Sequence, residues 1–369
     1  MAIIIFLIVL SWLIFIHEFG HFLVAKWSGI EVEEFGFGYP PQALKLFKWK
    51  GTVFSLNWIP FGGFVRMKGE EPKPGMEPVK GELYSVTTGK RLAVILAGVA
   101  ANFVFGVLAF TLVFGRMGIP QEIDQARISQ VAPDSPAALA QIPTNVNVLG
   151  LKINGELIET QTVDLVINVI NQHRGQEVTV VTSGSCQGLI CVPETHEYPA
   201  YLRLEDEIPA GQGSLGVAFD PVIYVFYPGW QMPIQSSIYG TKEALALGGL
   251  ILQALKHTVA NSITTGQVPN DIAGPVGIVH QAQTSGLFAQ GFLSILSFAG
   301  MLSINLATVN VLPFPPLDGS RALFVVIEKI VGKYRSRWLE HYLNYGGYII
   351  LMVLIVLITA RDIWSVITS

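Results

Sequence analysis

Residues Ile14-Phe15-Ile16-His17-Glu18-Phe19-Gly20-His21-Phe22-Leu23 place a His-Glu-x-x-His motif inside an apolar run near the start of the chain. Positions four apart share one face of an α-helix, so His17 and His21 can present their imidazoles to one metal ion. Glu18 lies beside them, where a carboxylate can accept a proton from an attacking water. The motif therefore predicts a zinc-peptidase site with two histidine ligands and a glutamate as general base.

The surroundings of the motif place it within a membrane. Between Ala2 and Val24 the only ionisable residues are those of the motif, and about 20 apolar residues suffice to cross a bilayer. Ionisable groups inside a span are costly and by default mark a functional site. A secretory signal peptide is the alternative, but the stretch lacks a basic start and a small-residue cleavage site. We therefore expect residues 1–25 to form the first transmembrane helix.

The composition agrees with an integral membrane protein. Of the 369 residues, 51% are hydrophobic and only 14% are charged, whereas soluble domains carry about 25% charged residues. The net charge of −4 gives no indication of nucleic-acid binding.

Residues 26–91 form a polar segment that holds ten of the 23 lysines and arginines. Glycines and prolines divide it into four predicted short strands: Glu33–Gly38, Ala43–Trp49, Thr52–Trp58 and Gly63–Lys68. The turns between them are apolar, so the segment is expected to lie against the membrane beside the metal helix. An exposed strand edge there could pair with an extended substrate. A small soluble hairpin domain is the alternative.

The remaining chain is divided by three further apolar stretches. Residues 92–115 are the second predicted span, in which small residues favour close helix packing and Asn102 is expected to be structural. Residues 229–286 hold an amphipathic helix, Ile234–Lys256, predicted at the membrane interface, with a true span as the alternative. Residues 287–320 are the third span, 321–342 a cytoplasmic connection, and 343–369 the fourth span and C-terminus.

Residues 116–228 are a soluble module with strands of alternating polarity and two short helices. Its segments Ala132–Ala137 and Ile153–Gly155 resemble those of PDZ domains in membrane proteases. Cys186 and Cys191 lie in a Gly-rich turn, where they permit a disulfide if the module is outside the cytoplasm. The sequence thus predicts a polytopic α-helical membrane protein with about four transmembrane helices, a membrane-associated β-hairpin or sheet segment, and an inserted extracytoplasmic PDZ-like α+β domain.

The basic residues predict the orientation. Ten lie between spans one and two and five between the last two spans, whereas seven are spread over residues 115–286. The positive-inside rule then places the polar segment in the cytoplasm and the PDZ-like module outside. The first and third spans both run inward, which brings His17 and Asp318 to a similar depth.

Asp318 is the best candidate for the third metal ligand. It follows the third span in Pro313-Phe314-Pro315-Pro316-Leu317-Asp318-Gly319, whose prolines must break the helix. Non-helical backbone at membrane depth is tolerated where it lines a protein cavity. A catalytic zinc takes three protein ligands and leaves one position open. A helix-capping role for Asp318 is the alternative.

The first-span motif together with Asn310-Val311-Leu312-Pro313-Phe314-Pro315-Pro316-Leu317-Asp318-Gly319 resembles the site-2 protease family, near its RseP-type bacterial members. The resemblance implies that His17, His21 and Asp318 bind Zn2+ and that Glu18 is the general base. It implies that Asn305 and Asn310 hold the substrate backbone. It also implies a multi-pass protein of the bacterial inner membrane, with the active site toward the cytoplasm.

The predicted function is that of an intramembrane zinc metalloprotease acting on single-span membrane proteins within the lipid bilayer, with a possible docking partner at the PDZ-like domain. One alternative is a non-catalytic PDZ-bearing scaffold with a structural metal, which would call for a closed four-ligand site. Another is a metal transporter, which would need ligands along a path through several helices.

Overall fold

The computed structural model describes residues 2–70, 78–160, 162–187, 190–209, 211–265 and 274–368. The chain folds as two units, one made of residues 1–113 and 236–369 and the other of residues 114–235.

Helices make up most of the first unit. Four of the described helices contain stretches long and apolar enough to cross a membrane, in agreement with the expectation of about four spans. These stretches are Ala2–Ser28, Ala97–Met117, Phe292–Asn310 and Trp338–Trp364. The helices and strands of the unit are α1 Ala2–Ser28, β1 Val32–Trp49, β2 Thr52–Met67, α2 Thr88–Ile95, α3 Ala97–Met117, α6 Met232–Thr265, α7 Pro275–Thr284, α8 Phe292–Asn310, α9 Asp318–Val331 and α10 Lys333–Thr368.

Helix α1 carries the motif and connects two hydrophobic clusters. Its N-terminal half packs Phe6, Val9 and Leu13 against α7 and α8. Its C-terminal half packs Phe22 and Ala25 against the β-segment and α2. In a membrane-spanning helix such contacts stabilise through close van der Waals packing, so they hold both ends of the helix that carries the histidines.

The β-segment contains two long strands, and the pairing divides them into the four short pieces expected from the sequence. Phe35 of β1 lies opposite both Val65 and Phe54 of β2, while Trp49 lies opposite Thr52. The lateral order is therefore 63–67, 32–37, 53–57 and 42–49. The two outer pairings run antiparallel, whereas 32–37 and 53–57 run in the same direction, from Glu34 opposite Val53 to Phe37 opposite Leu56. Strands β1 and β2 each continue through their Gly- and Pro-containing stretches, because the pairing register shifts at those stretches but the pairing does not end.

Small residues bring the membrane-spanning helices into close contact. A Cβ added at Gly20 of α1 would lie 2.5 Å from the backbone oxygen of Ala97 on α3. A Cβ added at Gly106 of α3 would lie 2.5 Å from Ile304 on α8. Close approach through small residues is the usual means of helix association in membranes.

Two segments differ from their expected form. Helix α6 is longer than the predicted Ile234–Lys256 and lies against α3 and α8, with Gly240 near Thr111 and Gly248 near Thr308. Its placement at the membrane interface stays a prediction. Residues 321–342, expected as a connection, belong mostly to α9 and the start of α10. Charged residues hide the helical spacing there, because several of those charges are themselves buried.

The second unit is built on an antiparallel sheet of order β10-β7-β5-β4-β11, with β6 paired to β5. Ser135 and Thr162 cap its helices by accepting hydrogen bonds from Ala138 N and Leu165 N. Cys186 and Cys191 form a disulfide, but the likeness to a PDZ domain stays a prediction. The elements are β3 Ile119–Glu122, β4 Arg127–Val131, α4 Pro136–Leu139, β5 Val146–Ile153, β6 Glu156–Glu159, α5 Val163–Gln172, β7 Glu177–Ser183, β8 Cys186–Gln187, β9 Ile190–Cys191, β10 Thr195–Tyr201, β11 Val217–Phe219 and β12 Val222–Val225.

Candidate metal centre and active site

The structure brings together the three residues predicted to bind metal. His17 and His21 lie one turn apart on α1, and their Nε2 atoms are 3.2 Å apart. Asp318 is the first residue of α9, and its Oδ2 lies 3.0 Å from His17 Nε2 and 3.3 Å from His21 Nε2. Each side chain is at most 16% exposed. Residues nearly 300 positions apart in the sequence thus converge on one small volume.

The spacing of these atoms fits a tetrahedral zinc ion. Zinc binds imidazole nitrogen and carboxylate oxygen at roughly 2.0–2.2 Å, which puts neighbouring ligand atoms about 3.3–3.5 Å apart. The observed separations of 3.0, 3.2 and 3.3 Å lie at or just below this range. Two histidines and one carboxylate are also a ligand set of catalytic zinc sites, which keep the fourth position open.

The second ring nitrogen of each histidine has its own neighbour on the α2–α3 pair. His21 Nδ1 lies 2.8 Å from the backbone oxygen of Val94, and His17 Nδ1 lies 3.3 Å from Asn102 Nδ2. Sequence reasoning gave Asn102 a structural role and did not place it beside a ligand. The sequence offered only a lone amide in an uncharged apolar span, and nothing in it tied that amide to His17.

Gly98 lies between these two neighbours and leaves room for the imidazoles. A Cβ at this position would lie 2.4 Å from His21 Nε2 and 2.6 Å from His17 Nε2. Atoms do not approach so closely without displacement, so the site needs a residue without a side chain here.

The proline-containing break delivers Asp318 to the histidines. Helix α8 ends at Asn310 and α9 begins at Asp318, as the prolines predicted. A Cβ on Gly319 would lie 2.1 Å from Val311 O, so the chain turns back tightly on itself. Ser320 Oγ donates to Leu317 O at 2.7 Å and closes the first turn of α9.

Polar pairs between distant parts of the chain hold α9 and its neighbours in place, and one of these pairs is buried. Arg91 of α2 pairs with Glu328 of α9 at 2.6 Å, and both side chains are less than 10% exposed. Arg321, one turn after Asp318, pairs with Glu70 at 2.9 Å. Tyr84 donates to Glu340 of α10 at 2.8 Å. Burial and the nearby Glu340 raise the pKa of Tyr84, which keeps its hydroxyl a donor.

Glu18 opens into a cavity of about 170 Å³ between α1 and the β-segment. The walls include the glycines of the strand turns, and a Cβ added at Gly63 would lie 3.8 Å from Glu18 Cγ. A larger, mostly apolar cavity of about 530 Å³ extends along α1. The two cavities share the lining residues Ser11, Phe15 and Phe37.

The two asparagines expected to contact substrate lie on α8. Asn305 is in the helix and Asn310 is its last residue, and both are half-buried. Their predicted role with substrate stays a prediction.

Known proteins resemble this chain over nearly its whole length. The model of Peptidase family M50 matches residues 5–354. A Clostridium perfringens protein whose name includes the words zinc metalloprotease is 31% identical over 98% of both chains. The zinc metalloprotease RasP of Geobacillus kaustophilus is 28% identical, with 98% of this chain and 97% of the relative covered. RasP of Oceanobacillus iheyensis is 26% identical, with 97% of each chain covered. Because the family model matches most of the chain and three metal ligands lie beside a glutamate, the chain belongs to Peptidase family M50, the site-2 proteases, and is a metalloprotease with zinc as its cofactor.

Proposed function

We propose that this metalloprotease hydrolyses peptide bonds within the transmembrane segments of single-span membrane proteins. The observation that carries the proposal is the position of the ligand cluster. His17 and His21 lie on α1, whose length and composition suit a membrane span. Pre-trimmed anti-sigma factors and signal-peptide remnants are substrates of this kind, and their cleavage would constitute regulated intramembrane proteolysis.

The two neighbouring cavities support this choice of substrate. The larger one is lined mostly by apolar and aromatic side chains of α1 and shares lining residues with the smaller one at Glu18. An apolar substrate segment can therefore lie along α1 with its side chains in an apolar environment until it reaches the carboxylate. A water-soluble peptide would gain less from such a lining.

His17, His21 and Asp318 would hold the zinc ion. When bound, zinc lowers the pKa of a water molecule toward about 7 and polarises a carbonyl group. Glu18 accepts the proton of the attacking water and then passes it to the nitrogen of the leaving peptide. Because Glu18 opens into the cavity while the three ligands face one another, its carboxylate is available for proton transfer.

The substrate backbone must be exposed before it can be cut. A helix satisfies its own amides, so the segment has to unwind near the scissile bond. Asn305 and Asn310 offer amide groups that would pair with the freed backbone. The β-segment beside Glu18 would add further pairing by strand addition, with one substrate strand laid along the sheet edge.

The charge distribution supports a location and a partner site. With ten basic residues in the segment before α3, the β-segment would face the cytoplasm of a bacterial inner membrane. The second unit would then lie outside, where its disulfide can persist. As a PDZ-like domain it would dock or filter previously trimmed substrates.

The test compares wild type with Glu18→Gln, purified in detergent and supplied with a single-span substrate. We expect equal zinc content and a rate of cleavage lower by about 10²–10⁴-fold in the variant, since general acid–base catalysis contributes that much. Glu33→Gln, on an exposed position of the β-segment, is the matched control and should cleave normally.

Equal cleavage by wild type and Glu18→Gln would contradict the role of the carboxylate. Zinc bound with no cleavage of any membrane-spanning substrate would favour the scaffold with a structural metal. Cleavage of soluble peptides in preference to membrane-spanning ones would contradict the proposed substrate class.

A further inference from the structure

Asn102 is a buried polar residue whose side chain lies next to the metal ligand His17, and no step of the proposed mechanism uses it. It lies on α3 with 0% of its surface exposed, and its Nδ2 is 3.3 Å from His17 Nδ1. Its Oδ1 is buried without a hydrogen-bond partner among the described residues. Its backbone oxygen accepts from Ser303 Oγ of α8 at 2.8 Å, which fixes this part of α3.

The proton on His17 decides how the amide must be oriented. His17 faces Asp318 and His21 through Nε2, so Nε2 is the atom available to the metal. A neutral imidazole that coordinates through Nε2 carries its proton on Nδ1 and donates there. An amide NH2 group turned toward that N–H would set two donors against each other.

A rotation of 180° about the Cβ–Cγ bond of Asn102 exchanges its oxygen and nitrogen. With the oxygen turned inward, His17 Nδ1–H donates to Asn102 Oδ1. One amide atom lacks a partner in either orientation, but only this one satisfies the imidazole. His21 offers a parallel, because its Nδ1 lies 2.8 Å from a backbone oxygen, that of Val94.

The two acceptors follow the spacing of the histidines. Val94, Gly98 and Asn102 are four positions apart, as His17 and His21 are, so one stripe of the α2–α3 pair faces one stripe of α1. Gly98 in the middle provides room, and the residues on either side provide acceptors.

We propose that Asn102 is a positioning residue that fixes the tautomer and ring orientation of His17 and thereby raises the affinity for zinc. The inference rests on the metal-binding role proposed for His17. Loss of an outer partner of a metal-binding histidine lowers metal affinity by about 10–100-fold.

The experiment measures the zinc dissociation constant of the purified full chain by competition with a chelator. Asn102→Leu has similar volume but no acceptor, and we expect its dissociation constant to rise 10–100-fold. Asn102→Asp keeps an acceptor in place, and we expect it to bind zinc within about threefold of wild type or more tightly, since carboxylates are common partners of metal-binding histidines. Thermal unfolding of the zinc-free proteins separates a loss of fold from a loss of affinity.

The result for either Asn102 variant is sufficient to overturn the inference. An unchanged affinity in a folded Asn102→Leu, or a tenfold loss in a folded Asn102→Asp, would overturn the inference. His17→Ala separates this failure from that of the proposed metal site. If His17→Ala binds zinc as wild type does, the ligand assignment is wrong. If His17→Ala loses zinc but the Asn102 variants do not, His17 is a metal ligand and Asn102 does not position it.

Discussion

At the scale of single residues, Gly98 limits the space beside the metal ligands. A methyl group there would lie within 2.6 Å of both Nε2 atoms. Either an imidazole rotates or α3 withdraws, and both responses disturb the ligand set. We predict that Gly98→Ala weakens zinc binding by about tenfold or more, comparable to the loss of an outer-sphere contact. Chelator competition on the purified chain measures this directly.

The matched control is Gly89→Ala, in α2. No atom lies within 4 Å of a Cβ added there, so zinc affinity should be unchanged. The helix should be stabilised by less than the roughly 0.8–1 kcal/mol that alanine gains over glycine in a helix interior, because Gly89 lies in the first turn of α2. Wild-type zinc affinity in Gly98→Ala would contradict the close packing of α3 on the histidines.

The residues of the site differed in how far the sequence could predict them. His17, Glu18 and His21 follow from helix periodicity, which is a local property. Asp318 required further arguments: the break in the third span beside a carboxylate, the similar depth predicted by the distribution of basic residues, and the family resemblance. Asn102 could not be assigned, since its contact depends on how α3 packs against α1. Packing of one helix on another is not encoded in the periodicity of either.

At the scale of elements, the buried pair of Arg91 and Glu328 ties α2 to the helix that begins with Asp318. Removing one partner leaves an uncompensated buried charge, which costs about 3–5 kcal/mol. We predict that Arg91→Met lowers the midpoint of thermal unfolding in detergent. Arg91→Met combined with Glu328→Leu should recover much of the loss, since apolar replacement of a whole buried pair is often neutral.

Lys68→Met is the control for a general effect of removing a cation. Lys68 pairs with Glu31 at 2.8 Å, but the carboxylate is 61% exposed. Exposed pairs contribute little, so the unfolding midpoint should hardly change. A double variant no more stable than Arg91→Met alone would contradict the coupling between the two buried charges.

The elements show the same division between local and distant information. The four short strands of the β-segment were predictable, because glycines and prolines separate the stretches that form them. Their pairing order, with 32–37 between 63–67 and 53–57, was not. Helix α9 was not predicted, because residues 321–342 were expected only as a connection. In the structure Arg321 pairs with Glu70 and Glu328 pairs with Arg91, and these partners come from distant parts of the chain.

At the scale of the whole molecule, the second unit is an insertion whose two ends lie together. Strand β3 pairs with β12, and Ile123 N donates to Pro221 O at 2.7 Å. Replacing residues 124–220 by a short Gly-Ser linker should therefore keep the ends of the excised unit joined as they are. The metal ligands, Glu18 and the cavities all belong to residues outside this range.

If the second unit filters substrates, its removal should change selectivity without removing the chemistry. We predict unchanged zinc affinity, continued cleavage of a trimmed single-span substrate, and faster cleavage of an untrimmed one, measured as the ratio of the two rates. The same ratio in the intact and excised chains would contradict the filter. Loss of zinc on excision would contradict the independence of the first unit. An unchanged ratio together with slower cleavage of both substrates would point to a docking role, in which the unit raises the local concentration of substrate but does not select by size.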